Sequence, residues 1–149
     1  MFKRTAIALA AVIVAGAALA HKGATGIVAE RMAAMKNMGN ELKAIGDMLV
    51  GNAPFDAEAV VQHAAALHEN CHRTATLFPP GSIDHHSRAL PAIWEKPETF
   101  QEAMQRLHSA TETFVVTATR GDRTALAASF EQIGKICSGC HETFRSPEN

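Results

Sequence analysis

Apolar positions step by alternating fours and threes in four segments of the chain. The first carries Arg31, Met35, Met38, Leu42, Ile45 and Leu49 on one stripe, and the second carries Val60, Ala64, Leu67, Cys71, Thr74 and Phe78. The third carries Phe100, Met104, Leu107, Thr111, Phe114 and Ala118, and the fourth Leu126, Phe130, Ile133, Cys137, Cys140 and Phe144. This spacing is that of a helix with one buried face. The strict alternation of apolar and polar residues that marks strands is sustained nowhere.

The residues between the segments agree with four helices. Gly51-Asn52-Ala53-Pro54 parts the first from the second, and Asp56 is placed to cap the second. Phe78-Pro79-Pro80-Gly81 stops the second helix, and Pro97 stands where a first helical turn tolerates proline. Arg120-Gly121-Asp122 is a short turn, with Asp122 a cap for the fourth helix. Two links are therefore tight and one, from about Pro79 to Lys96, is long. The pattern predicts an all-α protein, an antiparallel up-down-up-down four-helix bundle. In that topology the first and last helices are neighbours, so the end of the fourth lies beside the start of the first.

The N-terminus stands apart from this pattern. Met1-Phe2-Lys3-Arg4 is a short basic start, Ala6 to Ala20 runs without a polar side chain, and Ala18-Leu19-Ala20 is an A-x-A cleavage site. Residues 1–20 thus read as a secretory signal peptide, and residues 21–149 as a single exported domain. The apolar run is short for a membrane span, which needs about 20 residues, so no membrane insertion is expected after cleavage. The full chain has 14 Lys+Arg against 15 Asp+Glu. A balance this even argues against a general nucleic-acid binder.

An oxidising compartment normally pairs cysteines, yet the chain has 3 of them. Cys137 and Cys140 form a C-x-x-C followed at once by His141. This is the attachment signal of a c-type haem. Each thiol adds across one vinyl group to give two thioethers, and the next residue is delivered to the iron as an axial nitrogen ligand. A thioredoxin-like pair would need a strand before the motif in a βαβ setting, and a zinc site would need further ligands at zinc-like spacing. Only eight residues follow His141, so whatever covers the second face of the iron comes from upstream. The start of the first helix brings Met35 on the core stripe, with Arg31 one turn before it. Buried there, the cation needs a partner, which a haem propionate would supply.

Over nearly all of the exported chain the sequence resembles the class II c-type cytochromes: cytochrome c′ and its low-spin relatives of the cytochrome c-556 type. The resemblance rests on Arg31-x-x-x-Met35-Lys36, Ala53-Pro54-Phe55-Asp56, Phe78-Pro79-Pro80-Gly81, Ile93-Trp94 and the C-terminal Cys137-x-x-Cys140-His141-x-x-Phe144-Arg145. It implies one haem c attached at Cys137 and Cys140, His141 as proximal iron ligand, a propionate contact from Arg31 and a distal residue at position 35. A methionine there favours a six-coordinate, low-spin electron carrier in the periplasm that serves redox partner proteins. The alternative is a five-coordinate cytochrome c′ that binds nitric oxide or carbon monoxide. A redox enzyme or sensor subunit is the third and weakest reading. The resemblance also implies self-association, as a homodimer, through the first two helices.

The remaining candidates carry less. Met32, one step off the stripe, is the second choice for the iron, and Met38, Met48 and Met104 read as core. Arg145, one turn after His141, either tunes the iron or faces the helix dipole. His68 and His72 share a helix face and His63 precedes them, with Cys71 alongside, but no third ligand is set by the sequence, so these histidines are expected to be solvated. Cys71 reads as a buried thiol, His85-His86 as a solvent-facing loop pair, and Trp94 as packing the long connection onto the bundle. No Ser-His-Asp set, phosphate loop or carboxylate pair emerges, so the chain is expected not to be an enzyme.

Overall fold

A computed structural model describes residues 23–147. The expected signal peptide, residues 1–20, lies outside them. Among the described residues the chain forms α1 (Gly26–Val50), α2 (Ala57–Thr74), a single turn α3 (Ala92–Glu95), α4 (Pro97–Arg120) and α5 (Arg123–Phe144). The four long helices are those the periodicity predicts. The short α3 lies inside the long connection and abuts α4 at Lys96. None of the described helices is long and apolar enough to cross a membrane.

The ends obey local chemistry. Asp56 Oδ1 accepts from the amides of Glu58 and Ala59, and Asp122 Oδ1 from those of Thr124 and Ala125, at 2.9–3.1 Å. Each carboxylate satisfies two amides that the first helical turn leaves without partners. Gly51 and Gly121 end α1 and α4 with φ of 84° and 72°, a left-handed conformation that only glycine adopts freely. Across this end of the bundle the Arg123 guanidinium lies 4.1 Å from the centroid of Phe55. Helix α2 stops at Thr74, before the expected Phe78. Beyond it the amides of Thr76 and Leu77 turn back to the carbonyls of Arg73 and Thr74, tightening the chain ahead of Pro79 and Pro80.

Helix α1 packs on α2, α2 on α4, and α4 on α5, while the backbones of α1 and α5 stand further apart than these pairs. The first and last helices are neighbours as expected and meet through side chains: Met38 and Ile45 share the main core with Leu126 and Ile133, and a Cβ built on Gly46 would lie 3.2 Å from Phe130 Cζ. The main core joins Met38, Ile45, Val60, Leu67, Phe114, Leu126 and Ile133. A second cluster of Ile93, Phe100, Ala103, Met104 and Phe144 anchors the long connection at the other end, with Trp94 packed against it. Trp94 Nε1 donates to the carbonyls of Phe78 and Pro79 at 3.2 and 3.0 Å, which pins the connection as the sequence suggests.

Candidate functional site

Cys137, Cys140 and His141 lie in the last two turns of α5, all half-buried. Cys137 packs against the main core, as does Met35 of α1. Cys140 packs against the second cluster. Both are free thiols, as is the buried Cys71. Burial pushes the Cys137 thiol above its ordinary pKa, and the neighbouring Cys140 and Cys71 add to this. Cys140 is raised by burial as well, with the cation of Arg106 opposing. The pair therefore stands as neutral thiols on adjacent turns. His141 is pushed the other way: burial first, then the charges of Arg145 and Arg88, lower its pKa and keep the imidazole neutral, the form that binds a metal.

These residues fit a haem c. Two unpaired thiols three positions apart are what two thioether links consume, and a neutral imidazole follows at the next position. Cys140 itself lines a hollow of ≈ 330 Å³ between α4 and α5, with Ala103, Ile136 and Phe144. A separate groove of ≈ 860 Å³ opens between α2, the long connection and α4, lined by His72, Phe78, Trp94, Phe100, Met104 and His108. Ile93, Phe100 and Met104 belong to the cluster that Cys140 packs against.

At the start of α1, Ala34 and Met38 are fully buried and Met35 is half-buried at the edge of the same face. Met32 is half-buried too. Arg31 is buried, 2% exposed, as its place on the stripe requires. The chain itself supplies the partners that the buried cation needs. Nη1 donates to the carbonyl of Leu77 and to Ser82 Oγ, and Nη2 to the carbonyl of Ser82 and to Ser87 Oγ, over 2.8–3.3 Å. The guanidinium also sits 4.8 Å from the ring centroid of Phe78. Burial lowers its pKa and Asp84 opposes the shift.

Three features lay beyond sequence reasoning. Arg88 donates through Nε and Nη2 to the carbonyl of Ser146 at 2.9 and 2.7 Å, and Leu90 and Ser146 complete backbone bonds to Phe144 and Arg88. The long connection is thus laced to the chain just after His141. The histidines of α2 are not simply solvated: His63 Nδ1 lies 2.6 Å from Glu41 Oε2, and His68 Nδ1 lies 3.0 Å from Thr111 Oγ1. His85 faces solvent, whereas His86 is half-buried with Nδ1 2.7 Å from Asp84 Oδ1. For Arg88, His63 and His68 the missing signal is a partner 22 to 58 positions away; for His86 the partner is two residues away, and what the sequence lacks is the conformation of the loop. Arg145, one turn after His141, is exposed and contributes its charge to the depression of that imidazole's pKa.

Comparison with known proteins places the fold. A family profile described as Cytochrome C′ matches residues 26–145. Cytochrome c′ of Rhodopseudomonas palustris is 33% identical over 129 residues, covering 84% of this chain and 85% of that one. Cytochrome c-556 of Agrobacterium tumefaciens is 32% identical over 120 residues, covering 80% and 97%. A nitric oxide complex of a variant of cytochrome c prime from Alcaligenes xylosoxidans superposes with a TM-score of 0.76 at 25% identity, over 81% of this chain and 94% of that one.

Proposed function

This chain belongs to the cytochrome c′ family, and from that premise we propose that it binds a small diatomic gas, nitric oxide or carbon monoxide, at the iron of its haem. It carries one covalently attached haem c. When bound, the haem would supply an iron able to take up a diatomic gas. Cys137 and Cys140 would hold the group through thioethers. His141 would supply the proximal nitrogen, kept neutral by burial. Arg88, through Ser146, holds the chain that follows His141. Arg31 keeps a cation at the start of α1, and to meet a haem carboxylate it would have to give up the oxygens of Leu77, Ser82 and Ser87 that hold it here. In this reading Met35 and Met32 pack as apolar side chains. We read the protein as a binder rather than an enzyme.

The observation that carries the proposal is the family match across 26–145, with a nitric oxide complex among proteins of like fold. The low-spin carrier, with Met35 on the iron, is the second reading. Its support is Met35 on the core that Cys137 shares and the cytochrome c-556 relative. Absorption spectra decide. Gas binding expects a broad high-spin ferrous spectrum, immediate uptake of carbon monoxide and little change in Met35→Ala. Sharp split bands that turn high-spin in Met35→Ala would replace it with the electron carrier. The Lys3-Arg4 start and the Ala18-Leu19-Ala20 site support export to the periplasm. Self-association through α1 and α2, carried over from the resemblance, is checked by the mass in solution.

A further inference from the structure

The haem reading leaves unused a cluster of imidazoles on the seam between α2 and α4. His68 and His72 are one turn apart on α2, and His108 faces them from α4. The ring of His108 lies 4.7 Å from that of His68 and 5.7 Å from that of His72, centroid to centroid, with tilted rather than parallel planes. Two imidazoles on one tetrahedral ion, at a metal–nitrogen distance of about 2.1 Å, hold their ring centres about 5 Å apart. Both separations lie near that value; the ligand nitrogens of the three rings do not converge within 4.8 Å as the side chains stand, so binding an ion requires the rings to turn. An i, i+4 histidine pair on one helix is a recurrent metal-binding arrangement, and the third ligand that α2 alone lacks comes from α4.

The hydrogen bond to Thr111 holds the His68 ring through Nδ1 and leaves Nε2 open. Thr111 Oγ1 donates its single proton to the carbonyl of His108 at 2.9 Å. With its proton so engaged it accepts from His68, the arrangement that places the proton on Nδ1. This leaves a lone pair on Nε2, and a ring held through its other nitrogen is the usual second contact of a metal-binding histidine. His72 is exposed and His108 half-buried. Both lie on the edge of the groove beside Gln105 and Ser109, so an ion has a path in and room for a water as fourth ligand.

We propose that His68, His72 and His108 form a second metal site, one that takes a divalent late transition ion such as Zn(II) or Cu(II). Imidazole suits these ions, and with no carboxylate in the set the harder Mg(II) and Ca(II) are disfavoured.

The test is calorimetric titration of Zn(II) into the haem-loaded protein near pH 7.5, with folding checked by circular dichroism and the haem spectrum. The expected result is one ion per chain. Binding falls at least tenfold in His72→Gln and in His108→Gln, and stays unchanged in His63→Gln and in the double variant His85→Gln/His86→Gln. Thr111→Val, which removes the hydroxyl that orients His68, weakens binding by roughly 10- to 100-fold. The idea is overturned if no stoichiometric binding occurs, if His72→Gln binds like the parent, or if binding disappears only in the His85/His86 variant. That last outcome would assign the ion to Asp84, His85 and His86, whose ligand atoms lie within 4.8 Å of one another.

Discussion

Arg31 and Ser82 are joined twice. The guanidinium donates from Nη1 to the Ser82 hydroxyl at 3.1 Å and from Nη2 to the Ser82 carbonyl at 2.8 Å. The first turns of α1 are thereby fixed to the long connection, 51 residues later. Removing the side chain would strand buried acceptors as well as lose packing. Arg31→Ala should destabilise the protein by about 3 kcal/mol. Arg31→Lys should fall between the two, because it keeps the charge but loses the fork. Urea unfolding of the haem-loaded protein checks both.

The double variant Cys137→Ser/Cys140→Ser should lose all covalent haem. On a denaturing gel the parent stays coloured for haem peroxidase activity, and the double variant does not. A coloured band from the double variant would move the attachment to another residue.

Asp56→Ala and Asp122→Ala should each cost about 1 kcal/mol, the usual cost of removing a capping side chain. For a domain of this size that is a fall in Tm of roughly 4 °C. Thermal unfolding followed by circular dichroism reads it. Asn should restore most of the loss at either position, since its side-chain oxygen accepts the same amides.

Asp84 is held below its ordinary pKa, first by the His86 backbone amide and then by the His86 ring. A carboxyl with a lowered folded pKa binds its proton less readily folded than unfolded. Its contribution is therefore fully present above the unfolded pKa of about 4 and is lost as pH falls through the lower folded value. Asp84→Asn should be less stable than the parent at pH 6, with the gap closing below about pH 4. Urea midpoints at a series of pH values test the sign.

Arg88→Ala should release the lacing at the end of α5. Faster hydrogen exchange is expected at the amides of Leu90 and Ser146, which bond to the carbonyls of Phe144 and Arg88, with the core of α2 and α4 unchanged. Equal acceleration throughout would show instead that the whole fold had weakened.

Much of this architecture was legible in the amino acids alone. The four long helices, the caps at Asp56 and Asp122, the proline at the start of α4 and the burial of Arg31 and Cys71 all follow from spacing and local chemistry. So does the thiol pair with its adjoining imidazole. These signals lie within a turn or two of the residues they govern, and a helix repeats every 3.6 residues, so the chain states them directly. Other features needed the folded molecule: the wider spacing of α1 and α5, the loop oxygens around Arg31, the hold of Arg88 on Ser146 and the meeting of His108 with His68. The partners of Arg31, Arg88 and His68 stand 40 to 58 positions away, and Gly46 and Phe130 of α1 and α5 further still. Such contacts depend on where the long connection lies and which helix faces align. That is set by the joint packing of all the helices, which no local run of residues specifies.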